Sequence, residues 1–134
     1  MTYKKLHNRS EDMFDLTIEK DKIKVNLKAL KVGNDLCVII AGGDSPHIGA
    51  VTLSCPRPSL ADHNKISATT SSLAILGHKD DEAARYVSQT LASSLNKNVV
   101  VSCGIHVDNI TDAGIQTVMR ILKELVETLV AKIN

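Results

Sequence analysis

Asp80-Asp81-Glu82-Ala83-Ala84-Arg85-Tyr86-Val87-Ser88-Gln89-Thr90-Leu91-Ala92-Ser93-Ser94-Leu95, then Asn96-Lys97-Asn98, then Val99-Val100-Val101-Ser102-Cys103-Gly104, is the stretch where the chain changes period. Ala84, Val87, Leu91 and Leu95 share one helical face. Asp80 reads as the N-cap, with Asp81 and Glu82 in the first turn, where the helix dipole favours acids. Asn96-Lys97-Asn98 ends the helix, and Val99 to Gly104 reads as a buried strand. A second helix, capped by Asn109 or Thr111, runs to about Lys132 with a wide apolar stripe that includes Ile115, Val118, Met119, Leu122, Leu125 and Leu129.

Upstream the pattern is β throughout. Phe14, Leu16 and Ile18 alternate with Asp15, Thr17 and Glu19; after Lys20-Asp21, Ile23, Val25, Leu27 and Ala29 alternate with lysines and Asn26. That predicts a hairpin with one wet face. Gly33-Asn34 makes a turn, and Leu36 to Ala41 reads as a central strand buried on both faces. Gly42 to Pro46 reads as a tight connection into an antiparallel strand over Ile48 to Ser54. Pro56-Arg57-Pro58 to Asn64 reads as a loop, because proline removes ladder donors, and Lys65 to Leu76 as a fifth strand rich in hydroxyls. The order is β-β-β-β-β-α-β-α, an α+β domain of about six strands and two helices over residues 13–134, behind a flexible tail at 1–12. The stripe on the last helix exceeds what one sheet face covers, which points to a homodimer.

Sixteen basic against fifteen acidic residues leave a net charge of +1, which argues against nucleic acid as the main partner. No apolar run reaches the ~20 residues of a membrane span, and the first twelve residues are too polar for a signal peptide, so the expected location is cytoplasmic. Cys37, Cys55 and Cys103 are odd in number and widely spaced, so they are not a disulfide framework; Cys37 and Cys103 sit in apolar runs as small core residues.

Three segments carry the chemistry: Gly42-Gly43-Asp44-Ser45-Pro46-His47-Ile48-Gly49, Gly77-His78-Lys79-Asp80-Asp81 and Gly104-Ile105-His106-Val107-Asp108-Asn109. Each joins glycine, which permits close backbone approach, to histidine and a carboxylate, which exchange protons and hydrogen bonds near neutral pH. If the fold gathers them, they form one polar pocket. The second runs from strand end to helix start, where free N–H groups, Lys79 and His78 suit a phosphate; a plain turn capped by Asp80 is the simpler alternative. His47, His78 and His106 with Asp44 and Asp108 also allow a metal site, although none stand at a diagnostic short spacing. Alternate hydroxyls of Ser67 to Ser72, Ser71 among them, either face the pocket or belong to an edge strand. No nucleophile elbow, Walker loop or dinucleotide fingerprint is present.

Together with Pro56-Arg57-Pro58-Ser59, these three segments resemble the prenylated-flavin chaperone family, whose members accompany UbiD-type aromatic acid decarboxylases, for example as the small D subunit of gallate decarboxylase systems. The resemblance runs from about Leu36 to the C-terminus. It implies a fold similar to the proteasome assembly chaperones, a twisted antiparallel β structure carrying helices and paired as a dimer. It also implies a carrier, not a catalyst, that binds prenylated FMN (or FMN) and helps deliver it to a UbiD-type decarboxylase. On that basis the phosphate is expected at Lys79, His78 and the helix start at Asp80, the ring among Ile48, Gly49 and aliphatic strand residues, and His47 and His106 at its polar edges. Two other readings stand beside it: a protein-assembly module without cofactor, and a small metal-dependent enzyme using the three histidines.

Overall fold

The expected hairpin forms from β1 (Met13–Lys20) and β2 (Ile23–Val32), turned at Asp21 and Lys22, whose φ angles of 52° and 65° fit a tight two-residue turn. The structure, a computed structural model, describes residues 12–75 and 80–134. β3 (Asp35–Gly43), β4 (Ala50–Pro58), β5 (Ile66–Ala74), α1 (Asp80–Leu95), β6 (Val99–His106) and α2 (Asp112–Ile133) follow in the predicted order. The strands make one mixed sheet, β1-β2-β3-β6-β4-β5, in which only the β3–β6 pair is parallel. Both helices lie on one face, α2 over β1 and β2 and α1 over β4, β5 and β6.

Three expectations change. β3 and β4 are not hairpin partners: β6 enters between them, pairing Ile40 with Cys103 on one side and Ala50 with the same Cys103 on the other. The segment 44–49 is therefore a strap across the end of β6. Secondly, β4 continues through Pro56 and Pro58, which pair with Ala68 and Ile66 of β5. Pairing with β6 stops at Ser54, so beyond it β4 is an edge on that side, where a missing N–H is tolerated. Thirdly, β3 is buried on its helix face alone. Leu36, Val38 and Ile40 are buried, whereas Ile39 on the opposite face is 51% exposed.

The core lies between helices and sheet. Val25, Leu27, Val38, Ile40, Val99 and Val101 meet Val87 and Leu91 of α1 and Ile121, Leu122, Leu125 and Leu129 of α2, all buried. The wide stripe of α2 is thus largely consumed by its own sheet and by α1, and it does not supply the free surface on which the homodimer expectation was based. Under α1 the contact is partly polar. Thr52 and Ser54 of β4 both donate to Ser88 Oγ, at 2.8 and 2.7 Å, and Ser54 also bonds Thr70 at 2.7 Å. The helix-facing hydroxyls of the Ser67–Ser72 run thus tie β5 to α1, Thr70 through Ser54 and Ser72 by accepting from Arg85 at 2.8 Å.

Candidate functional site

The carboxyl ends of β3 and β6 and the N-terminal turns of both helices meet at one end of the molecule, because β6 feeds α2 there and α1 starts beside Ile105. The strap is stitched along β6: Asp44 N–H donates to the His106 carbonyl at 2.6 Å, His47 N–H to Gly104 at 3.4 Å and Gly49 N–H to Cys103 at 3.1 Å. Two glycines make this approach possible. A Cβ on Gly104 would collide with the backbone carbonyl of His47, and one on Gly49 with the Asp80 carboxylate.

Asp80 is only 7% exposed and its carboxylate is turned inward. Oδ1 accepts the Ile105 N–H at 3.0 Å, and Oδ2 lies 2.9 Å from His47 Nε2. The other nitrogen of His47, Nδ1, is 3.0 Å from the Ser45 carbonyl. Both ring nitrogens thus face acceptors, and only the imidazolium satisfies both. The His47 pKa is accordingly raised above 6.5, first by the Ser45 carbonyl and then, against a desolvation that lowers it, by the hydrogen bond and charge of Asp80. Nearby, burial and then the Asp80 charge push the Cys103 thiol up to about 12, so it is a packing residue and not a nucleophile.

His106 is more open, with Nε2 3.1 Å from Asp108 Oδ1. Asp44 Oδ2 accepts the Asp108 N–H at 2.8 Å, tying the strap to the loop before α2. Asp44, His47, Gly49, Asp80, His106 and Asp108 are therefore brought together. Ile48 rides on the strap, 66% exposed. Ser71 does not join them: it lies mid-strand opposite Leu53, on the sheet face away from the helices. His78 and Lys79 lie outside the described residues.

Beside this cluster a cavity of about 510 Å³ opens between the first turns of α1 and α2, with the end of β6 as its floor. Asp80, Glu82 and Ala83 line it from α1, His106 and Val107 from the floor, and Ile110, Ile115, Val118 and Met119 from the α2 side. Its size is that of a small-molecule site. Ile110 carried no signal in the sequence; Glu82 registered only as a first-turn acid, Ile105 only as part of the third segment, and Ile115, Val118 and Met119 only as helix stripe. Among the described residues no group of three or more histidine, cysteine or acidic side chains is placed to hold a metal. His47 and His106 each turn to a carboxylate instead.

Residues 19–134 match the prenylated flavin chaperone LpdD-like domain. The chain belongs to the LpdD-like prenylated flavin chaperone family. No curated protein matches it in sequence. Among solved structures, the chain is similar to one in a chaperone complex for yeast 20S proteasome assembly, at 15% identity and a TM-score of 0.60, covering 91% of this chain and 97% of that one. At that identity the likeness is one of fold: the mixed six-stranded sheet with two helices is that of a proteasome assembly chaperone. Membership of the LpdD-like family points to a chaperone role. No helix among the described residues is long and apolar enough to cross a membrane.

Proposed function

We propose that this protein binds prenylated FMN in the cavity between α1 and α2 and carries it to a UbiD-type decarboxylase. The observation that carries the reading is the meeting of the 44–49 strap, the end of β6 and the start of α1 at Asp80 beside a small-molecule-sized cavity, in a chain of a prenylated flavin chaperone family. The lining suits a ring system: Ile105, Ile110, Val118 and Met119 offer apolar contact, and His106, set by Asp108, offers a polar edge. The reactive chemistry belongs to the cofactor; the residues of this chain bind it, orient it and exclude water. Lys79, which directly precedes Asp80 in sequence, is the cation we assign to the phosphate.

Anaerobic titration with reduced prenylated FMN tests the reading, followed by mixing with cofactor-free decarboxylase. Saturable binding, slower flavin oxidation and recovery of decarboxylase activity are expected. Failure to bind at up to roughly 0.1 mM overturns it. Lys79→Ala should cost roughly 1.5–3 kcal/mol of flavin affinity, the worth of a charge-assisted hydrogen bond.

The homodimer we place on the open sheet face. Met13, Leu30, Val32, Ile39, Leu53 and Leu73 are all exposed there, on the side without helices. Six strands at ~4.8 Å spacing and about seven residues at ~3.3 Å give about 700 Å² per copy, or about 1,400 Å² for a pair, within the range of a stable interface. Leu53→Asp should yield monomers by light scattering at unchanged helix content.

A further inference from the structure

β5 closes one side of the sheet, with β4 on its inner flank and no strand on the outer one. Its register with β4 shows which backbone groups are left over. Ile75 N–H donates to the Gly49 carbonyl at 2.8 Å, and the pairing runs on from Ala50 opposite Ala74 to Pro58 opposite Ile66. Bonded and non-bonded pairs alternate along an antiparallel ladder, so Ser67, Thr69, Ser71 and Leu73 bond to β4, whereas Ala68, Thr70 and Ser72 turn their N–H and C=O groups outward. Pro56 and Pro58 fit that phase, since their partners Ala68 and Ile66 ask no N–H of them. Among the described residues nothing takes the outward groups. Such an edge is ordinarily blunted by charge, proline or a bulge. The opposite edge, β1, carries Asp15, Glu19 and Lys20, but β5 holds nine residues in unbroken register with no charge and no proline.

Cations stand around this edge instead. From the open face Arg57 Nε donates to Thr69 Oγ1 at 2.9 Å, from the helix face Arg85 donates to Ser72 Oγ at 2.8 Å, and Lys65 precedes the strand. Among the described residues none of the three is ion-paired, not even Arg85 with Asp81 or Glu82 one turn back on α1. We propose that β5 is a docking edge: it takes an extended segment of another protein by strand addition, bonded to Ala68, Thr70 and Ser72, with two acidic side chains three residues apart reaching Arg57 and Arg85. Thr69 and Ser72 are three positions apart, and such positions point to opposite faces of a strand, which sets the spacing of the acids. Charge disfavours the occupants this chain could itself supply. A second copy's β5 would bring the same arginines together, and residues 1–11 carry Lys4, Lys5 and Arg9 against Glu11 alone. The edge lies beside the open face given to the homodimer, and its occupation does not depend on flavin.

The test is an amide NMR titration of the isotope-labelled full chain at low salt. The probe is a nine-residue peptide, the length of β5, made of threonine with two glutamates three residues apart; the control carries lysines in their place. Saturable downfield shifts are expected at Ala68, Thr70 and Ser72, whose N–H groups gain an acceptor, with Thr69 and Ser71 little changed. Removing Arg57 and Arg85 together by substitution to serine should weaken binding by roughly two- to fivefold per arginine, as for exposed ion pairs. The lysine peptide, which meets repulsion in place of attraction, should bind at least roughly fivefold more weakly to the wild-type chain, so the charge reading is tested even if the double variant fails to fold. Equal binding of the two peptides, shifts confined to residues outside β5, or no shift at up to roughly 1 mM peptide overturns the proposal. Shifts of the same three amides on diluting the protein alone would put a second copy on the edge and overturn it as well.

Discussion

Replacing Asp80 by asparagine tests an ion pair, His47–Asp80, that helps tie the strap, α1 and β6 together. In the wild-type chain the folded-state pKa of His47 is raised above 6.5, so the pair's contribution is complete below pH 6.5 and is lost as pH rises through the folded value. Asparagine can keep the Ile105 N–H bond through its oxygen. Its NH₂ then faces His47 Nε2, which can accept it once neutral, while Nδ1–H still donates to Ser45. The variant therefore exchanges a charge-assisted bond of roughly 1.5–3 kcal/mol for a neutral one of roughly 0.5–1.5 kcal/mol, a loss of about 1–2 kcal/mol below pH 6.5 that shrinks as pH rises through the folded value. Urea unfolding at pH 6.0 and 8.5 measures this, with His47→Gln and the double variant closing a cycle that removes the titration of other histidines. A ring-proton NMR titration should show the His47 pKa falling in Asp80→Asn. If the stability difference between the two pH values is the same in wild type, single and double variants, the imidazolium reading is wrong.

Two further outcomes follow from the packing. Gly104→Ala places a methyl group on the His47 carbonyl, which cannot retreat without moving the strap, so a loss of roughly 1–3 kcal/mol or more is expected in urea unfolding, together with broadened amide signals at His47 and Ile105. Thiol labelling of the native protein should modify the exposed Cys55 quickly and Cys103 only after unfolding, since Cys103 is fully buried and its pKa stands at about 12; mass spectrometry showing rapid Cys103 modification would contradict the packed strap.

Local pattern reached the elements, and long-range pairing was beyond it. The β1–β2 hairpin was legible because Leu16 and Leu27 alternate with polar neighbours on either side of a short break. Thr111 was legible as a cap, and it does accept the Gly114 N–H. The insertion of β6 was not legible: adjacency in sequence favours pairing β3 with β4, and the strand that separates them arrives some fifty residues later. Its trace lay in Gly104, small because the strap's backbone crosses there, and in Gly49, small because the Asp80 carboxylate lies against it. The apolar run from Leu36 to Ala41 likewise could not distinguish a face covered by the chain's own helices from one left open. Of the site, the sequence expectation was that the segments of His47, His78 and His106 converge; the structure brings His47, Asp80 and His106 to one end of the sheet, and His78 lies outside the described residues. Ser71 was misplaced because alternation alone does not say which face of β5 meets α1, and the cavity wall at Ile110 and Ile115 looks in sequence like ordinary loop and helix.

The most direct test of the account is to map bound prenylated FMN by amide NMR on labelled protein. Perturbations should centre on Ile105, His106, Ile110, Ile115 and Met119, fade across the open sheet face at Leu53 and Ser71, and disappear when cofactor-free decarboxylase is added in excess. Saturable flavin binding with perturbations confined to the open face, or none near the α1–α2 cavity, would contradict it.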